Sequence, residues 1–267
     1  MKKGIFLLFG LLGLSVIGQE NTIQKAIETG SFDGLEAPTQ PKETEFYTPV
    51  PPRVNPYGKN GVPSDAVVLF NGTHVDNWEL VNGGGKVPWL VDIKEKSMTV
   101  SRGKEMKNSS IQTKQKFGSV QLHLEWKSPE KIEGKGQGRG NSGVFLQGRY
   151  EVQILDNIDN KTYSNGQVAS VYKQSAPLAM ASVPVGQWNS YDIIYHAPVF
   201  NAEGEKTKSA SITVLHNSVL VQDHFIIKGT TEYIGWPKNK SHGKAPIKLQ
   251  DHGNPISFRN IWVRNLD

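Results

Sequence analysis

Three stretches of this 267-residue chain carry side chains able to move protons or grip hydroxyl groups. A β-strand sends successive residues to opposite faces. Gln147, Arg149, Glu151 and Gln153 therefore share one face, while Val144, Leu146, Tyr150, Val152 and Ile154 point the other way. Gln121, His123, Glu125 and Lys127 likewise oppose Leu122, Leu124 and Trp126. In Lys248–Pro255, strand parity puts Lys248, Gln250 and His252 together against Leu249, with Asp251 on the apolar parity near a strand end. Amides, guanidinium groups and carboxylates in a concave sheet face hydrogen-bond sugar hydroxyls, and a carboxylate beside an imidazole transfers protons. The same alternation also fits solvated strand faces laced by cross-strand ion pairs. Asp251 also fits a turn cap or a partner for Arg259.

Other chemistries are excluded or left without a motif. The chain has no cysteine, which removes disulfides, thiolate zinc sites and cysteine nucleophiles. Its seven histidines include no helical His-x-x-x-His pair, and no Gly-x-Ser-x-Gly elbow occurs. Gly134–Gly143 superficially matches a phosphate loop but lacks the Lys-Ser/Thr ending and a following helix, so it reads as a loose glycine-rich loop beside the groove. Asp156-Asn157-Ile158-Asp159-Asn160 offers oxygens for calcium, and equally an Asx-rich turn. No metal and no cofactor are assigned. Thirty basic against 25 acidic residues give +5 without a basic run, which argues against nucleic acid as the partner.

The elements that position these groups read as all-β. Strand patterns recur at Ala66–Phe70, Gln121–Lys127, Ser190–His196, Ser211–His216, Val219–Asp223, Ile247–Gln250 and Ile256–Arg264, with Asn217-Ser218 as a tight hairpin turn. No long stretch shows helical periodicity, so residues 64–267 are expected to form a two-sheet sandwich or jelly roll. Residues 1–18 have the pattern of a signal peptide: Lys2 and Lys3, then an apolar run from Gly4 to Ile17 that is short for a membrane span. The protein is thus expected to be exported, periplasmic or secreted, with no stable membrane insertion after cleavage. Residues 19–63 hold a short helix around Gln24–Glu28 and then seven of the 15 prolines. That composition favours an extended arm or linker, and Phe46, Tyr47, Val50, Val54 and Tyr57 give it apolar teeth.

Four motifs in order carry a family resemblance: Val68-Leu69-Phe70-Asn71-Gly72 with Trp78; Gly140–Gln147 with Tyr150–Asp156; Gly186-Gln187-Trp188-Asn189; and Leu249–Pro255 with Phe258–Val263. Together they resemble the 3-keto-disaccharide hydrolase domain family over about residues 64–267. Gln147 stands where that family often has Arg, and Asn217-Ser218 where Asn-Gly is usual. The resemblance implies a concanavalin-like sandwich, a carbohydrate in its groove, no cofactor, and a sugar 3-oxidoreductase acting upstream. It also implies a reaction: a ketone at C3 acidifies the C2 proton, the C1 substituent leaves by elimination, and water adds back. On that reading Glu151 is the base and His252 the acid or ketone donor, with Asp251 orienting it. Arg149, Gln153, Gln250, Glu125, His123, Asn141 and Gln147 then hold sugar hydroxyls or the enolate. Two alternatives stand beside it. One is a non-catalytic sugar-binding module, with Trp89 and Trp236 as stacking candidates that also fit core or loop packing. The other is an ordinary glycosidase using the pair Glu125 and Glu151.

Overall fold

A computed structural model describes residues 22–103 and 106–267. The signal-peptide pattern of residues 1–18 lies outside the described residues. Among the described residues no helix is long and apolar enough to cross a membrane. The chain divides into two compact units, Met1–Val54 and Asn55–Asp267.

In the first unit a helix occupies 22–29, where a short helix was expected. Pro41–Thr44 forms a single tight turn whose Glu43 carboxylate accepts the backbone N–H groups of Thr39 (2.8 Å) and Gln40 (3.4 Å). The proline-rich chain beyond, to Val54, forms neither helix nor strand, in keeping with prolines that have no N–H to give to a ladder. Tyr47 and Val50 are exposed.

Among the described residues the second unit holds fifteen strands: β1 Val67–Phe70, β2 Trp78–Leu80, β3 Leu90–Asp92, β4 Ser97–Thr99, β5 Ile111–Thr113, β6 Val120–Lys127, β7 Ser142–Leu146, β8 Tyr150–Ile154, β9 Asn189–His196, β10 Val199–Phe200, β11 Lys206–Lys208, β12 Ser211–His216, β13 Val219–Ile226, β14 Lys248–Leu249 and β15 Ser257–Asn265. The unit starts upstream of Ser64. Asn55 O accepts from Ser64 N (2.9 Å), and Val62 is buried. The larger sheet runs β13-β12-β9-β6-β15-β4-β3, with β1 beside β15, and the smaller runs β2-β5-β14-β7-β8. Every named pairing is antiparallel. The architecture is the expected two-sheet β-sandwich.

The alternation in the sequence decides which face is core. Leu122, Leu124 and Trp126 of β6 are buried in the same cluster as Val144, Leu146, Tyr150, Val152 and Ile154 of β7 and β8. Burying each such side chain contributes about 1.5–3 kcal/mol. Polar contacts also tie the layers together. Tyr191 of β9 donates its hydroxyl to Gln153 O (2.7 Å), and Tyr195 donates to Gln147 Oε1 (2.8 Å). Asn217 and Ser218 both have positive φ (50° and 66°), the geometry that a two-residue hairpin between β12 and β13 requires.

Candidate active site

The outer face of the smaller sheet presents a row set by strand register: Glu79 of β2, Gln112 of β5, Lys248 of β14, Phe145 of β7 and Glu151 of β8. At its β8 end lies a cleft of about 480 Å³, lined by Gln137, Gly138, Asn141, Phe145, Glu151, Gln153, Tyr172, Thr231, Tyr233, Gln250 and His252.

Backbone pairing builds the walls. The residues 169–172 run along the edge of β8: Gln153 N donates to Ser170 O (3.0 Å), Ala169 N to Gln153 O (2.9 Å) and Tyr172 N to Glu151 O (3.1 Å). This carries Tyr172 over the cleft, with its hydroxyl 2.6 Å from that of Tyr163. Thr231 is fixed to the same strand. Its N–H donates to Arg149 O (2.9 Å), and its Oγ1 accepts from Glu151 N (3.0 Å). The glycine-rich loop is tied down rather than loose. Gly136 N donates to Asn160 Oδ1 (2.6 Å), and the Gln137 amide donates to Thr162 Oγ1 (2.9 Å) and Gly166 O (2.8 Å).

Glu151 sits at the floor of the cleft, only 5% exposed. Its carboxylate lies over Gly143 on the neighbouring strand, where any Cβ would collide with Glu151 Oε1. Burial pushes its pKa up to about 8, against a downward pull from the Lys248 ammonium. Lys248 is lowered by its own burial, with Glu151 pulling it back up. Its Nζ sits 3.4 Å from the centre of the Phe145 ring. One end of the Gln153 amide lies 3.2 Å from both Glu151 Oε1 and Ser142 O; with its NH2 turned to that end, it donates to both. Asn141 is held by its own donation to Gln137 O (2.6 Å). Gln250 Oε1 is buried with no partner in the protein, an acceptor that a ligand hydroxyl or water satisfies. The Glu151 carboxylate, one imidazole, two phenols and four amides therefore converge on one cleft. Groups of these types have the chemistry to exchange protons and to hydrogen-bond hydroxyls.

The structure gathers Glu151, Gln153, Asn141, Gln250 and His252 of the expected residues and places the other five elsewhere. Asp251 does not orient His252. It is buried on the apolar side and accepts from Arg102 Nε (2.7 Å), Ser109 N (2.8 Å) and Gly253 N (2.7 Å). These donors hold its pKa down against the upward push of burial. Gln147 lies outside the cleft lining. It occupies the β7–β8 turn at φ 50°, where its amide turns inward to Phe117 O (3.2 Å) and Tyr195. Arg149 lies outside the cleft and donates to Gln147 O (2.8 Å). Glu125 and His123 belong to β6, on the outer face of the opposite sheet, because strand parity does not say which sheet a strand joins. There Glu125 accepts from Arg259 Nε (2.6 Å) and Asn260 Nδ2 (2.9 Å), and His123 Nδ1 lies 2.6 Å from Asp192 Oδ1.

Of the stacking candidates, Trp89 is core, donating to Ser109 O (2.9 Å). Trp236 is exposed rather than packed. Asp156 accepts from Arg139 Nε (2.7 Å) and Ile158 N (3.2 Å), so its oxygens serve a buried ion pair and an Asx turn. Among the described residues no group of three or more His, Cys, Asp or Glu could hold a metal ion. Sequence reasoning missed Gln137, Phe145, Tyr172, Thr231 and Tyr233 in the cleft. Phe145 was readable, since it shares parity with Glu151's face. The others come from loops without periodicity.

A two-sheet antiparallel sandwich with a ligand-sized polar cleft centred on one buried carboxylate is the class of protein that fold and site define. The model of the 3-keto-alpha-glucoside-1,2-lyase-like domain matches residues 65–264, and the chain belongs to that family. The 3-keto-disaccharide hydrolase of Bacteroides thetaiotaomicron is 26% identical over 248 residues, 77% of this chain and 81% of that protein. A crystal structure of a candidate glycosyl hydrolase from Parabacteroides distasonis is 49% identical with a TM-score of 0.79, covering 86% of this chain and 98% of that one. A second candidate glycosyl hydrolase from the same organism shares the fold, at 19% identity and a TM-score of 0.55 over 76% and 94% of the two chains.

Proposed function

We propose that this glycosidic-bond hydrolase cleaves 3-keto-disaccharides or 3-keto-glycosides by elimination across C1–C2 followed by hydration. One observation carries the reading: among the described residues, the cleft is lined by a single carboxylate, Glu151, with a pKa of about 8. A two-carboxylate glycosidase needs a second carboxyl group about 5–9.5 Å away across the bond. Glu125, the candidate partner, is on the other sheet. Elimination beside a ketone needs one base instead. The ketone lowers the acidity gap at C2, so a carboxylate poised near neutrality is matched to the task.

Glu151 takes the C2 proton, and the electron pair forms the C2–C3 enolate. The enolate reforms the ketone as the C1–O bond breaks, and the leaving oxygen is protonated by His252. Water then adds across the C1–C2 double bond. Tyr172, Asn141, Gln153 and Gln250 are the groups available to the enolate oxygen and ring hydroxyls. The family and the curated relative, by their names, support both the keto-sugar and the 1,2-elimination. The C3 ketone has to be supplied by a sugar 3-oxidoreductase. Export to the periplasm or beyond is part of the proposal and rests on the pattern of residues 1–18.

The test is cleavage of matched disaccharides and their 3-keto derivatives by the purified protein. Release from the keto form alone supports elimination, and release from the parent sugar overturns it. Binding without release from either points to a lectin-like module.

A further inference from the structure

Between Gly229 and Lys238 the chain leaves the sandwich and returns. Thr230 N donates to Lys238 O (2.9 Å) and Lys238 N to Thr230 Oγ1 (3.2 Å), closing the neck of a loop. Gly229 has to be glycine, because a Cβ there would run into Lys238 O. One side of the neck is fastened to the catalytic strand through Thr231, whose Oγ1 accepts from Glu151 N (3.0 Å). A second tie is Lys238 Nζ to Glu232 Oε2 (3.3 Å). The loop is therefore anchored to the backbone of Glu151 itself. Its tip is Tyr233-Ile234-Gly235-Trp236, with Gly235 at φ 96° making the turn.

The tip is the unusual part. Tyr233, Ile234 and Trp236 are 73%, 82% and 89% exposed. Three large apolar side chains in four residues of a rigidly necked loop carry a hydration cost that ordinary loop tips avoid by being polar. Tyr233 also lines the cleft and lies under Lys173 Nζ, 5.2 Å from its ring centre. The tip thus begins at the cleft wall with Tyr233, and Ile234 and Trp236 follow it within three residues on the solvent side.

We infer that this tip is the platform for the leaving group: Ile234 and Trp236 receive a flat apolar face on the C1 substituent, an aryl ring or the C–H face of a second pyranose, while the keto-sugar sits over Glu151. The inference rests on the proposed function and names the substrates that reaction selects. The place of Tyr233 in both the tip and the cleft lining sets this occupant apart from a membrane surface. An indole stacks on such a face with offset geometry and gains affinity from both contact and dehydration.

Full-length protein and its Trp236→Ala, Ile234→Ser and Trp236→Phe variants are compared on the 3-keto derivatives of methyl glucoside, phenyl glucoside and a glucosyl-glucose disaccharide. Equilibrium binding of each compound is measured in parallel. Trp236→Ala is expected to lower kcat/KM for the phenyl glycoside, the disaccharide or both by about three- to tenfold, through KM, and to spare the methyl glycoside. Trp236→Phe restores most of the loss. Loss on the phenyl compound alone assigns an aryl leaving group, and loss on the disaccharide alone assigns a sugar. An equal effect on all three compounds, or none on any, overturns the inference and leaves the proposed function standing. If the wild type turns over none of them, the proposed function fails. The platform then stands only if Trp236→Ala weakens binding of the larger ligands selectively, and is overturned if it does not. Wild-type binding to anionic phospholipid vesicles that Trp236→Ala abolishes, with kinetics unchanged, also overturns it.

Discussion

Glu125 and Glu151 occupy outward positions on strands of opposite sheets, and their surroundings drive them in opposite directions. Glu125 meets Arg259 (2.6 Å), Asn260 (2.9 Å) and, at 4.0 Å, His123. Burial alone would raise its pKa, but these partners outweigh burial and lower it to about 2. Burial opposes the charge on His123 too, yet its carboxylate neighbours Asp192 and Glu125 push it up to about 9. Arg259 is further held over the ring of Trp188 at 4.2 Å. Glu151 is driven up by burial to about 8, with the Coulomb pull of Lys248 opposing it and no ion pair to it among the described residues. A carboxylate whose charge is fully matched contributes stability and has nothing left for a substrate. A carboxylate buried without a matched cation costs stability and is ready to exchange a proton.

The sharpest way to break this comparison is to neutralise each carboxylate in turn. Glu151→Gln is expected to lower kcat for keto-sugar cleavage by about 10²–10⁴-fold with the fold intact, measured by monosaccharide release and circular dichroism. Retained activity removes Glu151 as the base. In the wild type, kcat/KM is expected to rise with pH through about 8 as Glu151 loses its proton, and this limb disappears in the variant. Gly143→Ala places a methyl group against the Glu151 carboxylate and is expected to cost about tenfold or more in kcat, through a carboxylate displaced from its near-attack position. Unchanged kinetics there would mean that Glu151 need not lie over Gly143.

Stability separates the two residues by sign. The pKa of Glu151 is raised on folding, so its contribution is fully present below about 4.5 and is lost as pH rises through about 8. Glu151→Gln should therefore match the wild type near pH 4 and unfold at a higher temperature at pH 9. The gap between 4.5 and about 8 caps the gain at about 5 kcal/mol. The pKa of Glu125 is lowered on folding, so its contribution is present above about 4.5 and is lost as pH falls through about 2. Glu125→Gln is expected to destabilise by about 1–3 kcal/mol at pH 7 in denaturant titrations and to leave kcat within about twofold. A large loss of activity in that variant would bring the outer face of the larger sheet into the reaction.

Much of this was legible in local pattern. The alternation of β6, β7 and β8 correctly sorts core from outward residues, since a period of two and the hydrophobic effect suffice. Lys248, Gln250 and His252 follow the same parity, and Asp251 falls on the buried side as its position in the alternation indicates. The short strands β2, β3, β4, β5, β10 and β11 were not legible, because two or three residues carry no measurable period. The sequence expectation joined His123 and Glu125 to the Glu151 site because identical outward parity was all that a single strand could report. Tyr172, Thr231 and Gln137 were invisible for a different reason: each reaches the cleft on a loop held by hydrogen bonds between residues far apart in sequence.

By itself, then, the sequence determined the fold class, the inward and outward faces of its long strands, and the family, whose motifs lie within the strands and turns that local physics reads well. Tertiary structure alone decided which outward carboxylate is paired and which is left poised. Pairing depends on which strands become neighbours within a sheet, as β6 and β15 set Glu125 beside Arg259, and on which loop backbones close over the outer face of the smaller sheet.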